Sequence, residues 1–151
     1  MPRNRPGAVR GAAARPPLLD PCHGRIDRLS ERTSAELWRA ERLHDDLWPG
    51  ITRAALRTCR MFLRLPGRYL MLVPAECSCP GCEIADDVAI ARDALETVLH
   101  RLSPRARVEL GRVVSRLDAE LWRRTLPDPN AWRNPWRAHG RWWHQRLYER
   151  Q

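Results

Sequence analysis

Two apolar stripes meet at Ser103-Pro104, and that joint constrains the fold more than any other feature of the chain. Before it, Val88, Ala91, Leu95, Val98, Leu99 and Leu102 recur at the i, i+3, i+7 spacing of one helical face. After it, Ala106, Leu110, Val113, Val114, Leu117 and Leu121 share one side of a second helix. Each stripe must be buried against something. Ser103 suits a cap and Pro104 the first helical position, while Asp86 or Asp87 can cap the helix before the joint. A connection this short favours an antiparallel helical hairpin whose stripes face each other.

The flanking segments extend the same reading. A helical pattern runs from about Ile26 to Trp48 and stops at Pro49-Gly50. The stretch Ile51 to Leu65 places Ile51, Ala55, Cys59 and Phe62 on one side, and Pro66-Gly67 ends it. Tyr69–Val73 reads as one short strand or apolar connector. Leu126-Pro127-Asp128-Pro129-Asn130 is an extended link, and Asn134-Pro135 opens a last helix that aligns Trp136, Trp143 and Leu147. The fold class predicted is therefore mainly α: a small helical domain over residues 25–150 with a hairpin, one short strand and a cysteine loop at 77–82. Residues 1–24 hold five Pro and four Arg with no hydrophobic period, the signature of a disordered basic tail. No apolar run approaches the ~20 residues of a membrane span, and no cleavable leader is visible, so a membrane role is not expected.

Cys77-Ser78-Cys79-Pro80-Gly81-Cys82 gathers three of the five Cys within one bend. Thiolates so close repel one another, and a soft or borderline cation relieves that cost; zinc is the commonest guest. Three sulfurs are one short of a closed structural site. Cys59, on the inward side of the preceding helix, is the preferred fourth ligand, ahead of Cys22 with His23 and then His100. Reduced thiols without metal, or an iron–sulfur cluster, are the competing readings. Cys79 and Cys82 also form a CxxC pair, but thiol redox catalysis wants a βαβ frame that this chain lacks. An odd number of Cys without a secretory leader points to the bacterial cytoplasm.

The 151 residues carry a net charge of +9, and every basic residue is Arg, which suggests a GC-rich genome and weakens the raw count. Distribution says more. Between Asp46 and Glu76 there is no acidic residue but there are five Arg, of which Arg53, Arg57, Arg60 and Arg64 line one helical side. Intrahelical ion pairs cannot satisfy that row, and guanidinium groups suit nucleic acid phosphates. Docking on an acidic protein surface is the alternative. The row of Arg105, Arg112 and Arg116 alternates with Glu109 and Glu120 and reads as a balanced, solvated face.

Four of seven Trp lie in the last twenty residues among Arg133, Arg137, Arg141 and Arg146. Trp at helical spacing packs a core with Arg stems over the rings; Trp142 lies off that line and, with Arg137 and Arg141, is the candidate for nucleic acid contact. No Walker loop, GxGxxG, HExxH or nucleophile motif is present, so no catalysis is expected.

The cysteine run, Pro104–Arg107, Leu117-Asp118, Arg124-Thr125-Leu126-Pro127-Asp128-Pro129 and the Trp/Arg-rich end together resemble a set of small uncharacterised actinobacterial proteins. The resemblance spans about residues 75–143. It implies a bacterial cytoplasmic setting and one module containing the cysteine loop and the Pro-Asp-Pro link, and it transfers no activity. The expectation is a non-enzymatic binding module for nucleic acid or an acidic protein, stabilised by zinc.

Overall fold

The computed structural model describes residues 24–148 apart from Asp27. All of the predicted basic tail except Gly24 lies outside the described residues, as do Cys22 and His23. The fold is mainly α. Its elements are α1 (Glu31–Leu43), α2 (Ile51–Leu63), α3 (Pro80–Asp86), α4 (Val88–Arg101), α5 (Pro104–Arg124) and the single turn α6 (Pro135–Ala138). Short 3-10 turns at Ala131–Arg133 and Trp142–Gln145 flank α6.

The hairpin forms where the stripes require it. Val88, Ala91, Leu95 and Val98 on α4 and Ala106, Leu110, Val113 and Val114 on α5 are buried in one core. Asp87 caps α4, its Oδ1 accepting from the N–H groups of Ala89 (2.8 Å) and Ile90 (3.4 Å). Pro104 occupies the first turn of α5, yet the Ser103 side chain makes no cap bond. Its N–H and hydroxyl instead donate to Glu36 of α1, at 2.6 and 2.9 Å. The joint is tied to a third helix rather than closed on itself.

Helix α4 is the hub, with α1, α2, α3 and α5 packed around it. The first helix is shorter than its apolar pattern. Arg28 adopts a left-handed φ of 68° and Ser30 takes the cap, so Ile26 and Leu29 are buried from a turn. Leu47 is likewise buried beyond the end of α1. Gly50, at φ 91°, begins α2 without a side-chain cap of its own. Glu41 of α1 supplies the missing acceptor, taking the N–H groups of Gly50 (2.7 Å) and Thr52 (3.0 Å).

Two expectations need correction. Tyr69–Val73 is no strand among the described residues; Leu72 makes an isolated parallel bridge to Tyr148. Its neighbours explain why: Leu70 N–H donates to Arg124 O (2.6 Å) and Leu72 N–H to Leu147 O (2.9 Å), so the segment is pinned between the end of α5 and an irregular stretch. The last helix is also broken. Gly140 turns the chain after α6, and Trp143 reaches the core from a 3-10 turn instead of sharing a helix face with Trp136.

Candidate metal centre and nucleic-acid surface

The sulfurs of Cys77, Cys79 and Cys82 lie within 4.8 Å of one another. Tetrahedral zinc with Zn–S near 2.3 Å needs S···S of about 3.8 Å, a small adjustment from this spread. Cys79 is the N-cap of α3, and Pro80 starts the helix so that Cys82 falls in its first turn. Backbone N–H groups of Cys79 and Cys82 donate to the sulfurs of Cys77 and Cys79, both at 3.4 Å. The Cys82 thiol and backbone N–H, with the Cys77 thiol, hold Cys79 below the ordinary thiol range. Cys82, hydrogen-bonded to Cys79 and Cys77, is pushed up to about 12. The corner is exposed at Cys77 and Cys79. The three thiols could hold a metal ion.

Cys59 is not in that group. Its side of α2 faces the core, where burial pushes the thiol up to about 12 beside Arg92 and Asp118. The apolar stripe that made Cys59 look inward is buried by α4 and α5, whereas the cysteine corner sits at the exposed start of α3. His100, on the last turn of α4, is exposed with Nδ1 2.8 Å from Glu96 O, and it too lies outside the group.

The arginine row on α2 divides in two. Arg53 donates to the carbonyls of Gly24 (3.1 Å) and Arg25 (3.4 Å) and lies over the Trp38 ring. Arg60 is half-buried and engaged within the fold. Arg57 and Arg64 are exposed and have no carboxylate partner among the described residues. The row on α5 is less balanced than its sequence suggests. Glu109 turns to Ser30 and Thr33 at the head of α1, and Glu120 binds Arg123. Arg112 and Arg116 remain exposed without an ion pair among the described residues.

The C-terminal candidates change roles. Arg137 is an internal fastener: only 14% exposed, it pairs with Asp128 at 3.0 Å, donates to His144 O and Arg146 O, and covers the Tyr148 ring. Trp142 packs on the core with its ring edge-on to Trp122 (5.1 Å) and Trp143 (5.6 Å). Both are therefore poor contact residues, because the broken helix turns them inward. Arg141 stays largely exposed, 3.9 Å from Glu96. The exposed indole rings among the described residues are Trp122, Trp132 and Trp136.

Sequence reasoning missed one cluster entirely. Asp93 accepts from Trp143 Nε1 (2.8 Å) and His144 Nε2 (2.7 Å), joining α4 to the chain 50 and 51 residues on. Next to it Arg92 makes a two-pronged bond to Asp118 and pairs with Glu96, with Trp143 stacked 4.1 Å away. No local spacing announces such a cluster; Arg92-Asp93 is one charged pair on a helix that also carries Glu96, His100 and Arg101.

Fold and site together define a small helical protein bearing a three-thiol corner suited to a metal ion. No protein-family model, curated protein or solved structure matches the chain. Among the described residues, no helix is long and apolar enough to cross a membrane.

Proposed function

We propose that the chain is a non-enzymatic binding module of the bacterial cytoplasm that contacts nucleic acid phosphates through α2, its cysteine corner fixed by zinc. One observation carries the reading: Arg57 on α2 and Arg64 at its C-terminal cap are exposed seven residues apart, without ion-pair partners among the described residues. Their stretch of chain offers no acidic residue from Leu47 to Ala75 to neutralise them. Guanidinium forks presented this way release counterions on binding phosphates. Salt titration of binding to mixed-sequence DNA and RNA tests it. The log–log slope of the Arg57→Glu/Arg64→Glu variant should be shallower by about 2. An unchanged slope and affinity would end the proposal.

Zinc fits the corner because it accepts thiolates and leaves a fourth position open to a further ligand. The purified protein should carry about one zinc per chain. Cys79→Ala should lose it and Cys59→Ala should keep it, as read by elemental analysis. Iron with visible absorbance would replace zinc by a cluster, and four freely titrating thiols without metal would remove the site.

A protein partner is a second reading, favoured by a largely apolar groove of about 500 Å3 beside α2. The acidic part of such a partner meets Arg57 and Arg64 rather than the groove, which Glu76 and Asp86 also line. Met61, Leu65 and Val73 line it and are about half exposed. A stoichiometric protein that stays bound after nuclease treatment and is lost with Met61→Asp would support it over the first.

A further inference from the structure

A cleft of about 430 Å3 opens between α4 and the 135–144 segment, lined by Asp93, Trp136, His139, Gly140, Arg141 and His144. Its wall is an indole that is 55% exposed. A large ring left half in water is informative, because burial is its ordinary fate. The ring is held in place. The Trp136 backbone N–H donates to the Asn134 side chain (3.1 Å), fixing the main chain that carries the ring, and the His144 imidazole abuts the indole edge-on at 4.5 Å. Gly140 fixes the turn above: a Cβ there would come within 2.9 Å of His144 Cβ and 3.1 Å of Trp136 O. The chain therefore lies directly on the imidazole, and the cleft is formed before any ligand arrives.

The floor is polar. His144 is only 4% exposed, and Nδ1 has no partner although Nε2 is bound to Asp93. Asp93 accepts one hydrogen bond on each oxygen, and its side chain is 40% exposed. An ionised carboxylate offers about four acceptor sites, so two remain for a ligand. At the rim Arg141 is mostly exposed, its nearest carboxylate 3.9 Å away, and His139 stands beside it.

The ligand that these groups describe has a flat face for Trp136, an N–H donor for Asp93 and an anion for Arg141. We propose that the cleft takes an unpaired, amino-bearing nucleobase of a single strand, stacked on Trp136, with the strand phosphate on Arg141. The inference rests on the nucleic acid reading of α2 and adds a base-reading site to it. A carboxylate accepts from the exocyclic amine of cytosine. Thymine offers only an N–H between two carbonyl oxygens, which the carboxylate repels. Stacking supplies affinity, and Asp93 supplies choice between two pyrimidines of similar size.

Binding of short oligo-dC and oligo-dT to the full chain at fixed salt tests the proposal. The wild type should favour oligo-dC by about tenfold, and Trp136→Ala should lose about tenfold on oligo-dC together with the preference. Trp136→Phe, which keeps a stacking face, should retain most of both. Arg57→Glu/Arg64→Glu should weaken both strands alike and leave the ratio intact. Equal affinity for the two strands in the wild type, or an unchanged ratio in Trp136→Ala, overturns the cleft. If the α2 variant binds like wild type while Trp136 still governs the ratio, the helix reading fails and the cleft stands.

Discussion

Glu41 shows how much one side chain can carry in this fold. It is 1% exposed, and both its oxygens serve the first turn of a neighbouring helix. Gly50 must adopt φ 91°, a conformation that glycine tolerates, but glycine has no oxygen to cap α2. Removing the carboxylate takes the acceptor from a buried N–H at Thr52 and a part-buried one at Gly50. Glu41→Ala should cost about 2–3 kcal/mol in urea unfolding, and Glu41→Gln, which keeps one acceptor, about half as much. This bond was not legible in the sequence. Glu41 sits on a charged stretch of α1, and nothing local distinguishes it from a solvated residue. Cys59 was misplaced for a related reason: an inward-facing thiol reads the same whether it meets a metal or a hydrocarbon core.

At the scale of elements, the hairpin was legible because each stripe is regular and the joint leaves no slack. The ends of α1 and the breakage of the last helix were not, because a long-range partner decided each. Ser30 caps α1 while also binding Glu109 of α5, so the start of one helix is set from another. That tie is pH-sensitive. The hydroxyl and N–H donors of Thr33 and Ser30 hold the Glu109 carboxyl below its ordinary range. A depressed carboxylate contributes stability above its unfolded pKa and loses it as pH falls through the folded one. Glu109→Gln should therefore melt lower than wild type at neutral pH, and the gap should close in acid below the carboxylate range. Melting curves across that range check the sign. The cysteine corner was legible as a cluster, since three thiols in six residues leave few alternatives. Its helical start at Pro80 follows from the Pro at the first helical position.

Across the whole molecule, α1, α2, α3 and α5 pack around α4, but further closing contacts come from the irregular 125–148 stretch. Arg146 is buried there, donating to Thr125 Oγ1 (2.8 Å) and Trp122 O (3.0 Å). Arg124, the last residue of α5, donates to the carbonyl of Leu63 at the end of α2 and to those of Leu65 and Gly67 in the turn that follows. Trp143, 3% exposed, fits between Asp93 and the stacked Arg92. Trp143→Ala should cost about 3–5 kcal/mol, the loss expected for a large buried ring. It should be read in the same urea midpoint for near-UV and far-UV signals, since one core joins all the parts. The acceptor for Leu72 N–H, in turn, is the carbonyl of Leu147.

That last bond has a consequence during synthesis. A ribosome delivers α1 through α5 well before it reaches Leu147. Until then the Leu72 amide lacks the Leu147 carbonyl, and the slot for Trp143 on α4 stands open to water. The nascent helices can dock as they emerge, but the seal arrives from behind, with the residues translated last among those described. A chain that ended just after Arg124 and left the ribosome would display that unfilled slot to chaperones, and the next two dozen residues would hide it.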